Sequence, residues 1–128
     1  MKKTVLIVDD DADFLLPLEV RLSNAGFEVL TAQSAQEAEE KLAETRPDLC
    51  VVDLMMEHMD AGFALCYHIK KKDPSIGVIL VTGVASETGL EFDTATAEER
   101  AWIKADAILT KPVRFEQLER EIERLLKD

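Results

Sequence analysis

At 128 residues the chain has the length of one domain, enough to bury a real core and too short for a second domain of ordinary size. Its 26 acidic residues outnumber 15 basic ones for a formal net charge of −11, which repels phosphate backbones and anionic lipid and argues against direct nucleic-acid binding. Met1-Lys2-Lys3-Thr4 leads into only a few apolar residues before three aspartates, too short for a signal peptide or a membrane span, so a cytoplasmic location without membrane insertion is expected.

Strand-like and helix-like periods alternate along the chain, five of each, the pattern of an α/β parallel sheet covered on both faces by crossover helices. The first strand is expected over Thr4–Asp9 and runs into Asp9-Asp10-Asp11. The first helix follows, with Asp11 as N-cap, Phe14, Leu15, Leu18 and Leu22 at helical spacing, and a stop at Asn24-Ala25-Gly26. Pro17 lies deep in it and predicts a kink or tightened first turns. The second strand spans Glu28–Thr31, and Ser34 with Glu37 forms a capping box for a second helix that ends before Arg46-Pro47.

Leu49–Asp53 reads as a third strand, and the third helix is expected near Gly62–Lys72 with Phe63, Leu65, Cys66 and Ile69 inward. Lys70-Lys71-Lys72 then supplies cations to that helix's C-terminus. Gly77–Thr82 is the fourth strand; a long loop through Ser86–Asp93 and a short fourth helix capped by Thr96 and Glu99 follow. The fifth strand is Ala107–Thr110, and a last helix near Phe115–Lys127 carries Phe115, Leu118, Ile122 and Leu125. All strands but the second read as buried on both faces. Cys50 and Cys66 fall inside apolar patterns and read as reduced core thiols, and His58 and His68 stand at no ligand spacing.

Four strands finish in polar residues: the Asp9-Asp10-Asp11 run, Asp53, Thr82 and Lys111. A charge at the mouth of a core is costly unless it has a role, and ligands of open parallel sheets bind outside the carboxyl ends of the strands. Clustered carboxylates favour a hard divalent cation, with magnesium suited to oxygen ligands and bound waters. A threonine and a lysine nearby complement a phosphoryl oxygen, which makes Asp53 the candidate nucleophile.

Val5-Leu6-Ile7-Val8-Asp9-Asp10-Asp11, Val51-Val52-Asp53-Leu54-Met55-Met56, Val81-Thr82-Gly83 and Thr110-Lys111-Pro112 together resemble the signature segments of the receiver domain of two-component response regulators, over Lys3 to Leu126. The resemblance implies a flavodoxin-like doubly wound sheet of order 2-1-3-4-5 filling residues 1–128 as a single receiver domain. It implies that Asp53 accepts a phosphoryl group from a histidine kinase or a histidine phosphotransfer protein. Asp10 and Asp53 would bind Mg2+ directly, Asp9 through water, and the Met55 backbone carbonyl would complete the protein ligands. Thr82 would hydrogen-bond the phosphoryl group and Lys111 would pair with it, aimed by a cis bond to Pro112. Output would pass to a downstream protein target through the face of the fourth helix, fifth strand and fifth helix.

Three features depart from the family's pattern. Ile108 occupies the position usually held by an aromatic switch residue, leaving Phe92 or Trp102 as candidate substitutes. Thr82 and Lys111 stand 29 positions apart, several more than usual, with the excess in the Ser86–Asp93 loop. Glu57-His58 replaces the usual proline and glycine after the nucleophile. Met55 and Val84 are apolar where they would flank an attacking water, so slow dephosphorylation is expected. The leading expectation is a stand-alone phosphoacceptor rather than an enzyme. A degenerate receiver acting as a phosphorylation-independent interaction module is the alternative. An aspartate-dependent phosphohydrolase ranks below it, because Met55 stands where its second carboxylate belongs.

Overall fold

The computed structural model describes residues 3–53, 59–82, 106–110 and 113–126, with the backbone alone at 59–63, 82 and 110. Its described elements are β1 (Thr4–Val8), α1 (Ala12–Asn24), β2 (Glu28–Ala32), α2 (Ala35–Glu44), β3 (Leu49–Asp53), α3 (Met59–Lys72), β4 (Gly77–Thr82), β5 (Ala107–Thr110) and a C-terminal helix, α4 (Phe115–Leu126). The five strands form one parallel sheet in the order β2-β1-β3-β4-β5, as the sequence led us to expect. The short helix expected from Thr96 and the Ser86–Asp93 loop lie outside the described residues.

Side-chain alternation along the strands sorts the core into two layers. Leu6, Val8, Cys50, Val52, Val78 and Leu80 pack with α2 and α3 residues such as Leu42, Leu65, Cys66 and Ile69. Val5, Ile7, Leu49, Val51, Ile79 and Val81 pack on the other face with Leu15, Leu18 and Leu22 of α1 and Leu118 and Ile122 of α4. Each fully buried aliphatic side chain contributes about 1.5–3 kcal/mol, so the central strands anchor everything hung from their ends.

The helix ends follow local chemistry. Asp11 caps α1 by accepting from the Asp13 N–H at 3.0 Å. At the other end Gly26 takes φ +103°, the Phe27 N–H donates to the Leu22 carbonyl at 3.1 Å and the Gly26 N–H to that of Ser23 at 3.1 Å, a Schellman stop. Ser34 Oγ accepts from the Glu37 N–H at 3.0 Å, but the return leg from Glu37 reaches the Gln33 N–H at 2.8 Å, one residue before the cap. Helix α1 runs through Pro17, whose side chain is exposed, so the carbonyl left without its donor lies on the solvent side.

Several expectations change. Helix α3 begins at Met59, three residues before Gly62. Strand β1 ends at Val8 and β2 reaches Ala32. Strand β5 is not buried on both faces: Ala107 and Ile108 are half-buried, and among the described residues β5 pairs with β4 alone. Lys70 and Lys72 do more than complement a helix end, since Lys72 Nζ donates to the Leu42 carbonyl at 2.9 Å and Lys70 Nζ reaches Asp106 Oδ2 at 2.6 Å. His68 faces Glu39 of α2, Nδ1 to Oε2 at 3.5 Å.

Candidate functional site

The β1–β3 ladder pairs Val8 with Val52, so the next residues of the two strands, Asp9 and Asp53, stand side by side at the carboxyl edge of the sheet. Strand order reverses between these two strands, which opens the crevice where doubly wound sheets bind ligands. Asp9 is fully buried and Asp53 is 2% exposed, the buried charged residues among those described, whereas Asp10 is exposed.

The loop that carries the acids is held by its own backbone. Asp9 donates its N–H to the Ala32 carbonyl at 3.0 Å, and Asp9 Oδ1 accepts from the Asp11 N–H at 2.9 Å. Asp11 then turns away to cap α1, so it serves the helix and not the cluster. Carboxylate oxygens of Asp9, Asp10 and Asp53 all lie within 4.8 Å of one another. Like charges at that spacing repel, and a divalent cation among them would offset the repulsion. An all-oxygen donor set of this charge and spread fits a hard divalent cation and offers no soft ligand.

The sulfur groups stay out of this chemistry. Cys50 and Cys66 are buried in the α2–α3 layer, and burial pushes both thiols from 9.0 up to about 12. They are protonated core side chains at neutral pH.

On β4, Asp53 pairs with Val81, which places Thr82 one residue further toward the same edge. Thr82 in turn pairs with Thr110 of β5, so the strand that leads into Lys111 ends level with Thr82. The structure thus brings Asp9, Asp10 and Asp53 together and puts the Thr82 backbone at the same edge; Met55, Lys111 and Pro112 lie outside the described residues, as do Glu57, His58, Val84, Phe92 and Trp102. Ile108 is half-buried and packs against the α2–α3 layer.

The family model described as response regulator receiver domain matches residues 5–123. The chain belongs to the response regulator receiver family. This receiver is similar to the "Probable transcriptional regulator ycf27" of Guillardia theta, 34% identical over 130 residues that cover 98% of this chain and 46% of that protein. It is similar also to the alkaline phosphatase synthesis transcriptional regulatory protein PhoP of Bacillus subtilis, 28% identical over 99% of this chain and 50% of that one. The chain therefore spans about half the length of the curated relatives it matches. Among solved structures, a CheY-like response regulator receiver domain protein from Methanospirillum hungatei JF-1 superposes with a TM-score of 0.80 at 30% identity, covering 98% of this chain and 94% of that one. Receivers are signalling domains of two-component systems, and the acidic cluster sits where the doubly wound fold gathers its ligands.

One element was not foreseen from the sequence. Asp106 accepts the Val78 N–H at 2.8 Å on the same Oδ2 that meets Lys70. A lone acid ahead of an apolar strand gives no signal of that pairing.

Proposed function

We propose that residues 1–128 form one phosphoacceptor unit in which Asp53 takes a phosphoryl group from the phosphohistidine of a sensor histidine kinase or a histidine phosphotransfer protein. A carboxylate oxygen of Asp53 attacks phosphorus, the P–N bond to imidazole breaks, and the departing imidazole takes a proton from solvent. The product is an acyl phosphate on Asp53. The observation that carries this reading is the convergence of Asp9, Asp10 and Asp53 at the β1–β3 edge, with oxygens within 4.8 Å.

Asp10 and Asp53 would hold Mg2+ directly, Asp9 through water, and the Met55 carbonyl would join them. When bound, the ion neutralises the carboxylates and the phosphoryl oxygens. Asp9 orients the loop by accepting the Asp11 N–H, which fixes Asp10 beside Asp53. Thr82 would donate its hydroxyl to a phosphoryl oxygen and Lys111 would pair with the new charge. Phosphoryl transfer needs positioning and charge neutralisation more than covalent machinery, and these groups supply both. The response would then reach a downstream protein through β5, the C-terminal helix and the segment between β4 and β5. The stand-alone mode expected from the sequence is not carried over from the transcriptional regulators matched here, which are about twice as long.

Ile108 favours one second reading, a phosphorylation-independent interaction module, because an aliphatic side chain packed on the core cannot reorient as a ring does. Intact mass after incubation with Mg2+ and acetyl phosphate separates the two. The phosphoacceptor gains one phosphoryl group that Asp53→Ala does not; the interaction module gains none.

A further inference from the structure

Strand β5, Ala107–Thr110, is the short edge of the sheet, bonded to β4 alone among the described residues, yet it leads directly into Lys111. An edge strand of this length has few rungs to fix its register. Three hydrogen bonds gather at its entrance. The Asp106 N–H donates to the Val78 carbonyl at 2.8 Å, Asp106 Oδ2 accepts the Val78 N–H at 2.8 Å, and the same oxygen meets Lys70 Nζ at 2.6 Å. The Asp106 carboxylate thus supplies the rung that β4 would lack before β5 begins.

Lys70 is committed to this place. Its ammonium has three donors, and it reaches the Pro74 carbonyl at 3.2 Å, the Ile76 carbonyl at 2.7 Å and Asp106, with the side chain only 16% exposed. The last turn of α3, the turn into β4 and the first residue before β5 are therefore tied at one nitrogen. The Lys70 ammonium is largely buried while the Asp106 side chain is 35% exposed, and a charge-assisted bond shared with two carbonyls constrains the lysine more than a lone surface ion pair would.

We propose that Lys70 and Asp106 form a latch that sets the register of β5 and so positions Thr110 and Lys111 for phosphoryl transfer at Asp53, a role that rests on the phosphoacceptor reading above. The latch cannot touch the reacting atoms. Val78 pairs with Cys50 while Asp53 pairs with Val81, so the latch lies three residues from Asp53 along the strands, about 10 Å at the usual rise. It acts through the strand: a slip of one residue carries the strand end by about 3.3 Å and turns its side chains to the other face. Misplacement by about 1 Å already slows a positioned reaction by orders of magnitude. Lys70 and Asp106 are positioning residues.

The test compares wild type with Lys70→Met, Asp106→Asn and Lys70→Arg in the full chain. Asparagine keeps an acceptor for the Val78 N–H and loses the charge that holds Lys70; arginine keeps a cation and donors. Three quantities are read: the rate of phosphorylation by acetyl phosphate at saturating Mg2+, Mg2+ affinity by calorimetry, and hydrogen exchange of the 107–110 amides. Lys70→Met and Asp106→Asn are expected to lower the rate about tenfold, to leave Mg2+ affinity within about twofold because the acids sit on β1 and β3, and to speed exchange in 107–110 alone, with Lys70→Arg restoring most of the rate. Unchanged rates, or a loss of Mg2+ affinity matching the loss of rate, would overturn the role. A wild type that takes no phosphoryl group would overturn the phosphoacceptor reading and this role with it, and the exchange data would still show whether the latch holds β5.

Discussion

Val8 and Val52 face one another across the ladder between β1 and β3, and that rung puts Asp9 beside Asp53. Two buried carboxylates at the mouth of a core are a stored repulsion, relieved by a cation or by neutralising one acid.

Asp53→Asn is therefore expected to stabilise the metal-free protein by about 1–3 kcal/mol, since the amide keeps the shape and removes one charge. Magnesium should close the gap by stabilising wild type alone, by about 2.7 kcal/mol at 100 times its Kd. Urea unfolding with and without Mg2+ reads both effects, and equal stability of the two proteins without metal would count against the stored repulsion.

A second relationship lies at the opposite end of the sheet. Arg46 donates through Nε to Asp73 and through NH2 to Ser75 Oγ at 2.7 Å, while Asp73 Oδ1 accepts from the Ser75 N–H at 3.0 Å and Oγ at 2.6 Å. Ser75 and Arg46 together hold the Asp73 carboxyl down at about 2. A carboxyl lowered in the folded state contributes stability above its unfolded value of 3.8, and that contribution drains away as pH falls from there to about 2. Asp73→Asn should flatten the stability profile in that acid window and leave its slope near neutrality unchanged, as acid titration followed by circular dichroism would show.

The buried thiols titrate the other way. Cys50 and Cys66, raised to about 12, favour the folded state below 9.0 and lose that preference as pH climbs toward 12. At neutral pH neither should react with a thiol reagent until the fold opens, so both should label at one rate that rises with urea. Rapid labelling of either in native buffer would contradict their burial.

Gly26 offers a test of the backbone alone. Its φ is +103° and a Cβ there would meet nothing within 4 Å. Gly26→Ala should cost about 1 kcal/mol through the left-handed conformation, with no packing penalty added. A cost near zero in thermal unfolding would mean that the turn can relax.

The parallel sheet was legible because β1, β3 and β4 are short continuous apolar runs alternating with helical periods, as strands buried on two faces are, whereas its order followed from the resemblance to receiver domains. The cluster of Asp9, Asp10 and Asp53 was legible because a charge directly after such a run must lie at the strand's mouth. Strand β5 misled: Ala107-Ile108-Leu109 is as apolar as the central runs, and nothing local reveals that it stands at the edge of the described sheet. The start of α3 was misplaced because the residue ahead of Met59 in the sequence, His58, is not a capping type, and the capping type nearby, Asp60, falls inside the helix. The bonds of Lys70 to Asp106 and of Arg46 to Asp73 join residues 36 and 27 positions apart, beyond the reach of any local period.

Borohydride trapping of the phosphorylated protein followed by peptide mapping locates the phosphoryl group directly. Reduction converts an aspartyl phosphate to homoserine, and that conversion is expected at position 53, dependent on Mg2+ and lost in Asp53→Ala. Conversion at Asp9 or Asp10, or none in protein shown to bind Mg2+, would contradict it.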